Sequence, residues 1–158
     1  MGAVTYIMDK ERIGTKSASI LFNKHSGLLG ITGISFDMRE ISASAANGEE
    51  RCQLAIKMLN YRIKKYIGAY AAAMGGVDIL VFTGGVGENS DITRSGVCED
   101  LGFLGIEIDP QINTGLRSQE QVISKEGARV KVIVVPTNEE LMIAIDTQNI
   151  VYKTVANS

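Results

Sequence analysis

An α/β fold built on a parallel sheet is the class this sequence predicts, and three stretches predict it. Ile79 to Phe82 is a short apolar run cut off by glycines, which reads as a buried strand of a parallel sheet. It passes through Gly84, Gly85 and Gly87 toward a helix starting near Ile92, a strand-turn-helix order. Val130 to Val135 is a second buried strand, five of its six residues being valine or isoleucine, and the helix Leu141 to Val151 comes after it.

The glycine stretch carries the first chemical expectation. Gly84, Gly85 and Gly87 allow positive φ and close approach of the backbone to a ligand, while Ser90 or Asp91 can cap the next helix. Main-chain N–H groups and the positive end of a helix dipole would then meet at one point, which suits a phosphate. Read alone, the same spelling also describes a tight βα connection with no ligand.

Composition narrows the class. The 158 residues are 45% hydrophobic and 22% charged with a formal charge of -2, an ordinary globular mixture for one domain with a sizeable core. No basic stripe for nucleic acid and no polybasic membrane patch is present, and no apolar run approaches the roughly 20 residues of a membrane span. The charged residues Asp9, Lys10 and Glu11 so near the start speak against a signal peptide. Cys52 and Cys98 fit neither a disulfide framework nor a metal cluster and read as buried thiols of a reducing, cytoplasmic compartment.

Taken in order, Gly2 to Glu11 and Thr15 to Phe22 are short amphipathic helices, with Thr15 as a cap for the second. Asn23 to Ser35 is a glycine-rich connector expected as an ordered loop. His25, the sole histidine, has no ligand-spaced partner and reads as a surface residue. Asp37 and Glu40 open a helix that stops at Asn47 and Gly48, in the pattern of a capping box. Arg39 stands in its first turn, where the dipole disfavours a cation, so it calls for an anionic or aromatic partner.

Glu49 to Met74 is the longest element, with apolar residues from Cys52 to Met74 at three- and four-residue spacing. Beyond the glycine stretch, Ile106 to Ile108 and Gln121 to Ile123 are brief strands, and Ile112 to Arg117 a helical turn. After the second long strand, Thr137 and Glu140 spell a capping box that occupies Glu140 and leaves Glu139 free to face a ligand.

Four blocks then acquire a common meaning. Asn23-Lys-His-Ser-Gly-Leu-Leu-Gly-Ile-Thr-Gly, Asp37-Met-Arg39, Val81-Phe-Thr-Gly-Gly-Val-Gly-Glu-Asn-Ser90 and Pro136-Thr-Asn-Glu-Glu-Leu-Met-Ile-Ala144 resemble the acetate kinases, in family order and at family spacing. That family belongs to the superfamily of acetate and sugar kinases, heat-shock chaperones and actin. Its members are much longer, with two ribonuclease-H-like domains and ATP in the cleft between them. The resemblance implies an α/β, ribonuclease-H-like C-terminal domain, residues 1–158, lacking its opening hairpin strands.

It also implies roles. Asp37, Met38 and Arg39 match the segment that contacts the nucleoside of ATP or ADP. Gly85, Val86, Gly87, Glu88 and Asn89 match the nucleotide loop, and Glu139 matches the carboxylate associated with Mg²⁺. The parent would transfer phosphoryl from ATP to acetate or another short-chain carboxylate, and would be a homodimer with no nucleic-acid or membrane partner. The family's catalytic histidine and arginine, its acetate-site residues and its upstream phosphate loop find no match here, so no catalytic residue is assigned and the chain alone is expected to be inactive. Two other readings stand beside this one. One is a non-catalytic, self-associating module; the other is a Rossmann-type dinucleotide domain, favoured by Gly85-x-Gly87 and Asp109 but opposed by Ser90 in place of the third glycine.

Overall fold

The computed structural model describes residues 2–156, with side chains described to residue 152. It comprises two compact units, residues 1–70 and 71–158.

The first unit is helical. Helices α1 (Gly2–Lys10) and α2 (Thr15–Lys24) lie where the sequence puts them, although Thr15 begins α2 instead of capping it, and Gly14 holds the cap position. The expected loop from Asn23 to Ser35 contains a helix, α3 (Gly27–Thr32), closed by Gly33 at φ +73°. Its glycines concealed the Leu28, Leu29, Ile31 spacing, and the buried Thr32 hydroxyl ends it by accepting from the Ile34 and Ser35 amides and donating to the Ser35 carbonyl. Helix α4 (Met38–Ala46) leads to α5 (Glu50–Met74), the longest element, which crosses the boundary between the units. Ile41, Cys52 and Ala55 form a buried cluster against which Leu28, Ile31, Met38, Ala45 and Ile56 pack. Further along α5, Tyr66, Tyr70 and Met74, expected on the buried face, are 52–69% exposed.

The second unit holds a three-stranded mixed sheet in the order β1 (Ile79–Phe82), β3 (Lys131–Val134), β2 (Gln121–Val122). The two long strands predicted from composition are neighbours and parallel, with Phe82 opposite Val134, and Val135 N–H extends the ladder to the Phe82 carbonyl. Val132 and Val134 are fully buried and Phe82 nearly so, but Ile79 and Val81 are about half exposed. The strand expected to be buried is therefore an edge strand with one dry face. A continuous apolar run signals burial on both faces only when both faces are covered. Ile106 and Ile108 make isolated bridges to Val130 and Ser124 in place of a full strand.

The glycine stretch differs most from expectation. Gly84–Asn89 is itself a short helix, α6, and α7 (Asp91–Cys98) comes directly after it. Of its three glycines only Gly84 has positive φ, at +69°. Gly87 is needed for another reason: a Cβ there would stand 3.2 Å from the carbonyl carbon of Phe82. Ser90 caps α7 by accepting from the Thr93 amide, as predicted. A 3-10 turn (Gly102–Leu104), α8 (Pro110–Asn113) and the final helix α9 (Glu139–Ala156) complete the unit. His25 is exposed at the end of α2, and both cysteines are buried without forming a disulfide. Among the described residues no helix is long and apolar enough to cross a membrane.

Candidate functional site

The predicted residues fall in three segments. Asp37, Met38 and Arg39 belong to the first unit; Gly85 to Asn89 and Glu139 belong to the second.

Asp37 caps α4 by accepting from the Arg39 amide at 2.8 Å, and its carboxylate also takes the Arg39 guanidinium, with Oδ2 2.6 Å from Nη2. The expected anionic partner of Arg39 is thus the cap residue two positions before it. This hydrogen-bonded pair lowers the Asp37 pKa from 3.8 to about 2 and raises that of Arg39. The reciprocal half of the capping box is replaced: the Asp37 amide donates to Ser35 Oγ. Met38 packs on the unit's apolar cluster.

In the second unit the strand tips lie side by side, and one carboxylate ties together the two segments that leave them. Glu88, only 7% exposed, accepts at Oε1 from the Gly84 amide at 3.0 Å, the Thr137 amide at 2.6 Å and the Thr137 hydroxyl at 2.7 Å. These bonds, those from Thr137 foremost, hold the Glu88 pKa below the usual carboxylate range. They also correct the capping-box expectation. Thr137 serves Glu88, while Asn138 Oδ1 accepts from Leu141 N–H at the start of α9. Glu139 accordingly owes its availability to its own position: it is exposed in the first turn of α9, next to the similarly exposed Glu140.

Asn89 donates to the Gly85 carbonyl and accepts from Ser118 Oγ. The amides of Gly85 and Val86 engage no acceptor among the described residues. Both residues are exposed, and a Cβ on Gly85 would meet nothing within 4 Å. At the start of α7, where the sequence predicts open amides, Ser90 and Asp91 already accept from the Thr93 and Ile92 amides.

Sequence reasoning missed Arg94. It is fully buried and donates to the carbonyls of Gly87 at 2.8 Å, Glu88 at 2.9 Å and Leu116 at 2.8 Å, and to Asn113 Oδ1 at 2.7 Å. Asn113, also buried, donates to the Asp91 carbonyl and to Ser95 Oγ. Burial lowers the Arg94 pKa, opposed by nearby Asp91. The available signal was a lone arginine inside an otherwise apolar and small-residue helix face. Asp109, the residue behind the dinucleotide alternative, caps α8 by accepting from the Gln111 amide.

Comparison with known proteins matches this arrangement to kinases named for short carboxylic acids. An acetate kinase from Bacteroides thetaiotaomicron is 58% identical over 152 residues, 96% of this chain and 38% of that protein. The crystal structure of the Porphyromonas gingivalis acetate kinase matches with a TM-score of 0.88 at 56% identity, covering 95% of this chain and 38% of the other. A propionate kinase from Francisella tularensis gives 0.83 at 39% identity, with 94% and 37% covered. The chain belongs to the acetokinase family, whose model matches residues 1–145, and it spans about 38% of the length of the acetate kinases it resembles.

Proposed function

We propose that the chain is the C-terminal nucleotide- and Mg²⁺-binding portion of an acetate kinase, a cytoplasmic and homodimeric enzyme that interconverts ATP and acetate, or a related short carboxylate, with ADP and the acyl phosphate. The observation that carries this reading is the pairing of Phe82 with Val134: parallel neighbours send the glycine helix and the Glu139 segment out from the same end of the sheet. A ribonuclease-H-like parent sheet accords with that parallel pair flanked by an antiparallel strand. Within the first unit, Asp37, Met38 and Arg39 are assigned a nucleoside contact on the strength of the family resemblance; within the second, the open amides of Gly85 and Val86 are assigned to phosphate.

The donor set fits magnesium in one specific way. Among the described residues no cluster of three or more histidine, cysteine or acidic side chains could cage a metal. Mg²⁺ instead keeps several waters and is held by one or two carboxylates together with substrate phosphates, a role open to the exposed Glu139. When bound, the ion supplies neutralisation of the charge that develops on the transferring phosphoryl group. Glu139 would orient the nucleotide-borne ion, and the α6 amides would fix the phosphates beside it.

Calorimetric titration with MgADP tests the reading. Binding that weakens in Glu139→Ala is expected; absence of adenine-nucleotide binding, or a preference for NAD, overturns it. Phosphoryl transfer is mostly positioning and charge stabilisation, and an absent transition-state arginine alone can cost roughly 10³ to 10⁵ in rate. These 158 residues by themselves should therefore make no acetyl phosphate in a coupled assay.

The self-associating module also has an observation in its favour. Ile79 and Val81 on the edge strand, and Leu141, Met142, Ile143, Val151 and Tyr152 on α9, are large apolar residues exposed to solvent. Sedimentation showing a stable dimer without nucleotide, combined with no MgADP binding, would select it.

A further inference from the structure

We infer that Glu88 is a positioning residue and not a nucleotide ligand: its carboxylate joins the glycine helix to the loop before Glu139, so that phosphate amides and metal carboxylate are held in one register. The inference deepens the nucleotide reading above and rests on it.

Three features of the site support this role. Glu88 lies in the segment whose exposed members, Gly85 and Val86, face solvent, yet its own side chain is buried and turned inward. Oε1 takes donors from the segments that leave both strand tips, the Gly84 amide from α6 and the Thr137 amide and hydroxyl from a residue 49 positions later. The backbone of Glu88 is fixed as well, because buried Arg94 donates to the carbonyls of Gly87 and Glu88. Thr137 is two residues from Glu139, so the bond to Thr137 sets where the metal carboxylate begins. By satisfying the Gly84 amide internally, Glu88 also leaves the next two amides as the ones available to phosphate.

Charge makes the joint stronger than a neutral one, since hydrogen bonds to a carboxylate are roughly twice as strong as those between neutral groups.

The test uses the full 158-residue chain and two measurements. Hydrogen exchange is compared in the wild type, Glu88→Gln, Thr137→Val and Thr137→Ser without nucleotide. Glu88→Gln is expected to speed exchange at both the Gly84 and Thr137 amides, and Thr137→Ser, which keeps the hydroxyl, to stay like the wild type. Unchanged exchange at Thr137 in Glu88→Gln overturns the inference. ADP affinity is then measured with and without Mg²⁺. Thr137→Val should lower the Mg²⁺-dependent gain in affinity by about tenfold while metal-free ADP binding changes little, and Thr137→Ser should restore the gain. Because Thr137 is exposed, its substitution is compatible with folding. A wild type that binds MgADP, with the gain intact in Thr137→Val, sinks the positioning role alone. A wild type that binds no adenine nucleotide sinks the nucleotide reading and this inference with it.

Discussion

The two segments assigned to nucleotide are held in opposite ways. Asp37 to Arg39 is organised locally, by a cap and an ion pair between residues two apart, with the Arg39 side chain 91% exposed. Gly84 to Asn89 is organised from a distance, by Thr137 on one side and by buried Arg94 with Asn113 on the other. The difference teaches that one cap and one arginine suffice where a segment presents side chains to solvent. A backbone that must present its own amides needs polar partners from elsewhere in the chain to fix it.

Arg94→Ala is the harshest way to break the contrast. It leaves several buried acceptors unsatisfied in the distant network, and a loss of about 3 to 5 kcal/mol is expected in urea unfolding. A loss no larger than that of a surface substitution would show that the guanidinium organises nothing. Gly87→Ala is next. Its Cβ would press on the Phe82 backbone, which cannot swing aside as a side chain can, so about 1 to 3 kcal/mol should be lost, together with weaker MgADP binding.

Acid sharpens the comparison further. The Glu88 pKa is lowered in the folded state, so its stabilisation is complete above the ordinary glutamate value of 4.5 and disappears as pH falls through the lowered value. Glu88→Gln should therefore flatten the acid limb of the stability profile while shifting the neutral plateau down; an acid limb identical to wild type would contradict this. Asp37 obeys the same sign, its contribution being present above 3.8 and lost as pH falls toward about 2. The pair is exposed and salt-screened, so this effect is the smallest. It is best read by NMR titration of the Asp37 carboxyl, whose midpoint should return toward 3.8 in Arg39→Gln.

Legibility in the sequence divides along the same line. Asp37 and Ser90 were legible as caps because a cap is a relation between near neighbours, whereas Asp109, read only as a candidate dinucleotide acid, is a cap as well. The valine and isoleucine run was legible as a strand, and its partner could be inferred from a similar run. The Thr137–Glu140 box was a plausible local pattern that lost to a bond from Thr137 to Glu88, 49 residues away. Likewise, α3 and α6 were hidden because glycine penalises helix in isolation, and their tertiary contacts outweigh propensity. Among residues with distant partners, Glu88 and Asn113 carried no periodic signal to find, and Arg94 only that of a lone arginine in a short helix.

Arg94 has one last consequence, for how this region opens. A guanidinium surrounded by main-chain oxygens from Gly87, Glu88, Asn113 and Leu116 has no half-assembled resting place once those oxygens scatter. The glycine helix and the turn around Asn113 should thus come loose and reseat as a single cooperative piece, their amides exchanging with solvent in step and not one after the other.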